Sequence, residues 1–210
     1  MTILDQLSSQ IGERCEEANR NVASQCLADP ALLKELATGF ETKNDKLIAD
    51  CAEVMTFVSE QRPDWIIPYT PYLTHGLSSK NTRVRWESMH ALAFVAEAAP
   101  DAVLPIVDEL DALLKNDKSV IVRDYAARAA GNLAKAGVSY AQKVYPVIKS
   151  ALIVWEGRHA HHAMQGLECV VNYLPEHREE LRALVEPLTH HKKKVIQKAA
   201  KSLLNVLDSE

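Results

Sequence analysis

Between residues 84 and 99, apolar or small side chains fall at 84, 88, 91, 92, 95 and 99, with polar ones between them. That spacing places them on one face of an α-helix. The template recurs 38 residues later as Val122, Ala126, Ala129, Ala130 and Leu133, and 37 residues earlier as Leu47, Cys51, Val54 and Val58. A fourth copy is His159, Ala163, Gly166, Leu167 and Val170, and Val195, Ala199, Ser202 and Val206 read as a fifth. Upstream of each lies another apolar helix: Ala31 to Phe40, Pro68 to Leu77, Leu104 to Leu114, Tyr145 to Trp155 and Leu181 to Leu188. No segment of any length alternates with the period of a strand.

Polar turns separate the members of the first three pairs: Lys43-Asn44-Asp45-Lys46, Ser79-Lys80-Asn81-Thr82 and Asn116-Asp117-Lys118-Ser119. Their Asn, Asp, Ser and Thr side chains suit the start of the following helix. Pro63-Asp64, Pro100-Asp101, Gly137 and Pro175-Glu176 read as breakers between pairs. The unit is therefore a first helix, a short turn, a second helix and a breaker. Residues 1–210 read as a single all-α repeat domain. The pairs cover about 31–66, 67–103, 104–140, 141–178 and 179–208, behind an N-terminal helical cap at 1–30. One pair cannot bury its apolar face alone, and stacked pairs form a continuous core.

Two pairs carry a more specific signature. Leu104-Pro105, Asn116-Asp117, Val122-Arg123 and Ala126-Ala127 succeed one another, and Ile67-Pro68, Asn81 and Val84-Arg85 repeat the pattern. The chain thereby resembles HEAT-repeat proteins over roughly residues 31–208. The first pair has Leu47-Ile48 in place of Val-Arg. The fourth departs further, with a turn shortened to about Glu156-Gly157-Arg158 and His159 at the Val position. The resemblance implies a right-handed α-solenoid of about five helical pairs, with the second helices lining a concave face. HEAT arrays host many roles, so the fold alone names no function.

Stepping along the second helices by the repeat length gives the residues expected on that face. One row is Glu53, His90, Arg128, Gln165 and Lys201; another is Ala49, Trp86, Asp124, His161 and Gln197. A third is Phe57, Phe94, Asn132, Cys169 and Asn205. Trp, Arg and His are enriched in partner-binding surfaces. The expected function is a non-enzymatic scaffold that binds a protein or peptide there, through Glu53, Trp86, His90, Asp124, Arg128, His161, Gln165 and Lys201. The alternative follows the HEAT-like DNA alkylation repair glycosylases, which use aromatic and acidic groove residues; Trp86 and Asp124 share a row. The triplet Lys192, Lys193 and Lys194 could grip an anion or nucleic acid.

Composition narrows this further. Of 210 residues 47% are hydrophobic, and only 7 are Gly, which disfavours barrels, sandwiches and Gly-loop nucleotide folds. The net charge of −4 conceals a gradient. Residues 1–66 hold 12 acids and 6 bases; residues 141–210 hold 8 acids and 10 bases. Neither a secretory signal nor a membrane-spanning run is evident. Cys15, Cys26, Cys51 and Cys169 form no Cys-x-x-Cys pair, so reduced thiols and a cytoplasmic location are expected. Glu156, His159 and His162 are spaced to share a helical face, yet no second such set completes a metal centre, and no metal or cofactor is expected. Catalytic and phosphate-binding motifs are absent from the sequence.

Overall fold

The computed structural model describes residues 2–12 and 15–209, and every regular element among them is helical. The chain divides into two compact units, Met1–Ala102 and Val103–Glu210.

The first unit begins with α1 (Ser8–Ile11) and α2 (Glu17–Ala28). Then come α3 (Leu32–Ala37) with a 3-10 turn to Glu41, and α4 (Asp45–Ser59). A bent first helix follows as α5 (Pro63–Ile66), the 3-10 turn Ile67–Tyr69 and α6 (Thr70–Gly76), paired with α7 (Thr82–Ala98). The second helices stack side by side, α2 on α4 and α4 on α7, with α6 behind α7. Leu33, Leu36, Met55, Met89 and Leu92 fill the space between layers and are almost wholly buried.

The short α8 (Pro100–Val103) lies at the division. The second unit continues with α9 (Val107–Asn116), α10 (Val120–Lys135), α11 (Val138–Ile153), α12 (Ala160–Tyr173), α13 (Arg178–Val185) and α14 (Lys194–Asp208). Here α10, α12 and α14 stack in order, backed by α9, α11 and α13. Each fully buried Leu or Val of this core contributes about 1.5–3 kcal/mol. At Gly131 and Gly166 the backbones of α10 and α12 meet: a Cβ on Gly166 would lie 2.5 Å from both Cα and O of Gly131.

The polar turns cap as their composition requires. Asn44 Oδ1 accepts from the N–H groups of Lys46 and Leu47, Asn81 Oδ1 from those of Arg83 and Val84, and Ser119 Oγ from that of Val122. The side chain two residues earlier adds a second lock. Thr42, Ser79 and Asp117 accept from the N–H of Asn44, Asn81 and Ser119 in turn. In the last turn Lys193 offers no side-chain cap, and His191 Nδ1 takes the supporting role by accepting the Lys193 N–H.

The helices differ from expectation in three places. Pro63 and Pro100 open the next first helix instead of merely ending the previous one, because a proline at the first helical position loses no hydrogen bond. The fourth first helix starts at Val138, about two turns ahead of the Tyr145 expected for it. The last helix is rotated by one residue. Ile196, Ala200, Leu203 and Leu207 are buried, and Val195 stands 52% exposed. This face is more apolar than the one containing Ser202, and burial follows it.

Candidate binding surfaces

In the first unit the second-helix face carries a polar network. Asn19 on α2 donates to Asp50 Oδ1 at 3.0 Å and to Glu53 Oε2 at 2.5 Å on α4. Arg83 on α7 joins the same carboxylates at 2.8 Å each. The N-terminus of α1 is tied down from below, with the Ser8 N–H on Asn19 Oδ1 and the Ser9 N–H on Asp50 Oδ2. Glu87, also buried, accepts from Trp86 Nε1 and from the Thr56 hydroxyl. Three buried carboxylates thus face one guanidinium. Burial pushes the Glu87 carboxyl up to about 7, against the hydrogen bonds from Trp86 and Thr56 and with help from the charge on Glu53. Above the network opens a cleft of about 660 Å³, lined by Ser8, Ser9, Cys15, Lys46, Glu53 and Arg83 among others.

The second unit holds a different cluster. Arg123 and Asp124 on α10 meet three imidazoles at the start of α12. His159 is fully buried; its Nδ1–H donates to Asp124 Oδ1 at 2.6 Å while its Nε2 accepts from Arg123 Nε at 3.1 Å. These bonds fix the tautomer with the proton on Nδ1. His162 lies 3.5 Å from the same Asp124 oxygen, and its ring packs 3.7 Å from that of His161. Burial would lift the Asp124 carboxyl, but the hydrogen bond from His159 and the neighbouring imidazoles outweigh it and hold it below the usual carboxylate range. Burial and the adjacent His161 lower His162 to about 4. The cluster is built from one carboxylate serving two imidazoles, which is an arrangement for holding α10 against α12.

Glu53 is 6% exposed and fully engaged in the first-unit network. Trp86 is half-buried with its N–H on Glu87. His90 is half-buried and stacked on Phe94 at 5.2 Å. Asp124, Arg128 and His161 are half-buried, while Gln165 and Lys201 are exposed. The one-residue rotation of α14 takes Lys201 out of line with Gln165. Lys198 and Ser202 stand there instead, across a groove of about 250 Å³ between α12 and α14 that His161, Met164, Gln165 and Glu168 also line. Lys192, Lys193 and Lys194 are all exposed, and Lys192 pairs with Glu156 at 3.2 Å. Glu156 and His159 both precede α12, so Glu156, His159 and His162 share no helical face. Among the described residues no group of three or more His, Cys, Asp or Glu is arranged to hold a metal. No helix among them is long and apolar enough to cross a membrane.

No protein-family model matches the chain, and no curated protein sequence matches it. Solved structures do. A designed armadillo repeat protein in complex with the peptide (KR)4 superposes with a TM-score of 0.77 at 16% identity, covering 98% of each chain. A computationally designed armadillo repeat protein for modular peptide recognition gives 0.76 at 17% identity, over 97% of this chain and 98% of that one. An engineered protein gives 0.76 at 18% identity, over 99% and 95%. The fold is an armadillo/HEAT-like α-solenoid.

Within this solenoid the residues that sequence reasoning passed over are those joining neighbouring second helices: Asn19, Asp50, Arg83 and Glu87 in the first unit, Arg123 in the second. A signal existed. Asp50 and Glu53 are one helical turn apart, and so are Arg83 and Glu87, while Arg123 and His159 lie 36 residues apart, one repeat. These side chains face along the stack, off the rows expected to point outward.

Proposed function

We propose that this chain is a non-enzymatic scaffold that binds a peptide or a segment of another protein, using the outward faces of α10, α12 and α14. The observation that carries the reading is the groove between α12 and α14, where His161, Gln165, Lys198 and Ser202 meet from two successive second helices. Arg128 and Asp124 continue the surface onto α10. Such a surface offers hydrogen-bonding groups at repeat spacing, which suits an extended chain whose backbone and side chains both need partners. The likeness to a designed armadillo protein that holds a peptide supports the same reading. In the first unit His90 supplies a comparable group, whereas Glu53 joins α4 to its neighbours and Trp86 donates to Glu87 on its own helix. The four cysteines, none of them in a disulfide, fit the cytoplasmic location expected from the sequence.

The test is selection from a displayed library of random peptides against the full chain, followed by affinity measurement on the triple variant R128A/Q165A/K198A. Affinity should fall at least about tenfold, roughly 1.4 kcal/mol or more, with melting unchanged. Selected peptides that bind the variant as tightly as the parent would refute this face.

A further inference from the structure

The turns joining first to second helices in the second unit form an edge unlike the same turns in the first. After the caps of the first unit the helices open with polar pairs, Asp45-Lys46 and Thr82-Arg83. After Ser119 the pair is Val120-Ile121, each 40% exposed. The next turn exposes Ile153 at 57% and Trp155 at 44%. The three turns are bonded into one strip. Trp155 Nε1 donates to the Leu114 carbonyl at 3.0 Å, and the Arg123 guanidinium lies 4.0 Å over the indole while reaching the Asp117 carbonyl. On the other side His191 Nε2 bonds the Glu156 carbonyl at 3.1 Å. Residues 115–123, 153–159 and 190–195 together hold seven Lys or Arg and two carboxylates.

The middle of the strip is strained. Trp155 and Glu156 have φ of 53° and 57°, ahead of Gly157 at 69°. A left-handed residue other than glycine costs about 1–2 kcal/mol. The strain presents a large aromatic to solvent, and strain of this sort gathers at functional sites.

We propose that this turn edge is a second docking surface, fitted to an extended acidic segment of another protein in which an apolar residue recurs about every third position. Helices packed side by side lie about 8–10 Å apart, and so do their turns. An extended chain of the polyproline II type advances about 3.1 Å per residue with three residues per turn, so three residues span one turn to the next and every third side chain faces the same way. Each third side chain would meet Ile121, Trp155 or the last turn, and the acids between would meet the lysines. Lipid fits less well, because Glu156 stands in the middle of the strip and would press its carboxylate among anionic headgroups. Nucleic acid has no use for the exposed isoleucines.

A fluorescein-labelled peptide of about twelve residues, repeating Glu-Asp-Leu, would be titrated into the full chain by fluorescence anisotropy. Saturable binding is expected, weakened about tenfold or more by I121S/I153S and, separately, by K192E/K193E/K194E. K143E, a charge change in the first half of α11, should leave it intact, and a Lys-Lys-Leu peptide should not bind. Circular dichroism melts establish that the variants fold. Absence of binding, or binding to either edge variant as tight as to the parent, overturns the proposal. Parallel titrations with phosphatidylserine-containing vesicles and single-stranded DNA complete the test. If either binds through the same side chains while the peptide does not, the edge belongs to that class of partner and the proposal fails.

Discussion

Glu87 offers the sharpest test of the first-unit network. Its carboxyl is raised from the ordinary 4.5 to about 7 because it sits between α4 and α7 with Glu53 close by and only Arg83 to offset both. A carboxyl whose folded pKa exceeds its unfolded value favours the folded state fully below the unfolded pKa. That contribution is lost as pH rises through about 7. One pKa unit corresponds to about 1.4 kcal/mol, so ionisation of Glu87 withdraws about 2–3 kcal/mol of stability between pH 5 and pH 8. Replacing Glu87 with Gln removes this dependence with little change of shape. The amide oxygen still accepts from Trp86, and the Thr56 hydroxyl can accept from the new N–H₂ while donating to the Ala52 carbonyl. E87Q should therefore match the parent closely at pH 5 and exceed it at pH 8 by about 2–3 kcal/mol, or about 5–10 °C in Tm for a chain of this length. Urea titrations of both proteins at each pH give the difference directly, and all other titrating groups cancel. If the two stability curves run parallel from pH 5 to pH 8, Glu87 is not a strained buried carboxylate and the account of the network fails.

Other expectations follow from single positions. G166A drives a Cβ to 2.5 Å from the Gly131 backbone; backbone cannot rotate away as a side chain can, so equilibrium unfolding should show a loss of about 3 kcal/mol. E156G relieves a left-handed φ of 57° and gives up only an exposed ion pair with Lys192; thermal melts should rise, by about 0.5–1 kcal/mol equivalent. N81A removes a side chain that accepts from two backbone N–H groups and should cost about 1 kcal/mol by the same measurement. His162, lowered to about 4 by burial and His161, should keep the NMR shifts of a neutral ring down to pH 5; a midpoint near 6.5 would contradict its placement.

The elements that were legible in the sequence are those whose signals are local. Asn44, Asn81 and Ser119 announce their helices because a cap acts within three residues, and the recurring apolar face announces the second helices. The errors arise where two local patterns compete. Val195-Ile196 is a pair of β-branched residues, either of which begins an apolar face; the structure buries Ile196 because Leu203 and Leu207 follow on its side. Pro63 and Pro100 end one helix and begin the next, and a proline carries the same sequence signal for both. The polar networks were illegible for a different reason. Whether Glu53 faces solvent or Arg83 depends on what lies beside α4, and that is decided by the neighbouring second helices, not by residues adjacent in the chain. A strict repeat would give each second helix the same environment, and the first unit departs from it.

The reason for the departure lies at the N-terminus of the first unit. There α2 packs on α4 as one more second helix, and α1 turns back so that its first N–H groups rest on Asn19 and Asp50. Those acceptors are buried, and leaving them unpaired would cost about 1–3 kcal/mol each. The first unit therefore uses its polar side chains to close its own second-helix face, and Glu53 is consumed in doing so. The second unit spends Arg123, Asp124 and His159 on joining α10 to α12 near the turns, which leaves the later positions of α12 and α14 facing solvent. A helical-repeat chain must keep some polar residues between its second helices to fix their register and others outside them to meet a partner. In the second unit the former sit toward the start of the helices, so Gln165 and Ser202, further along, are the positions from which a bound peptide would be expected to take its contacts.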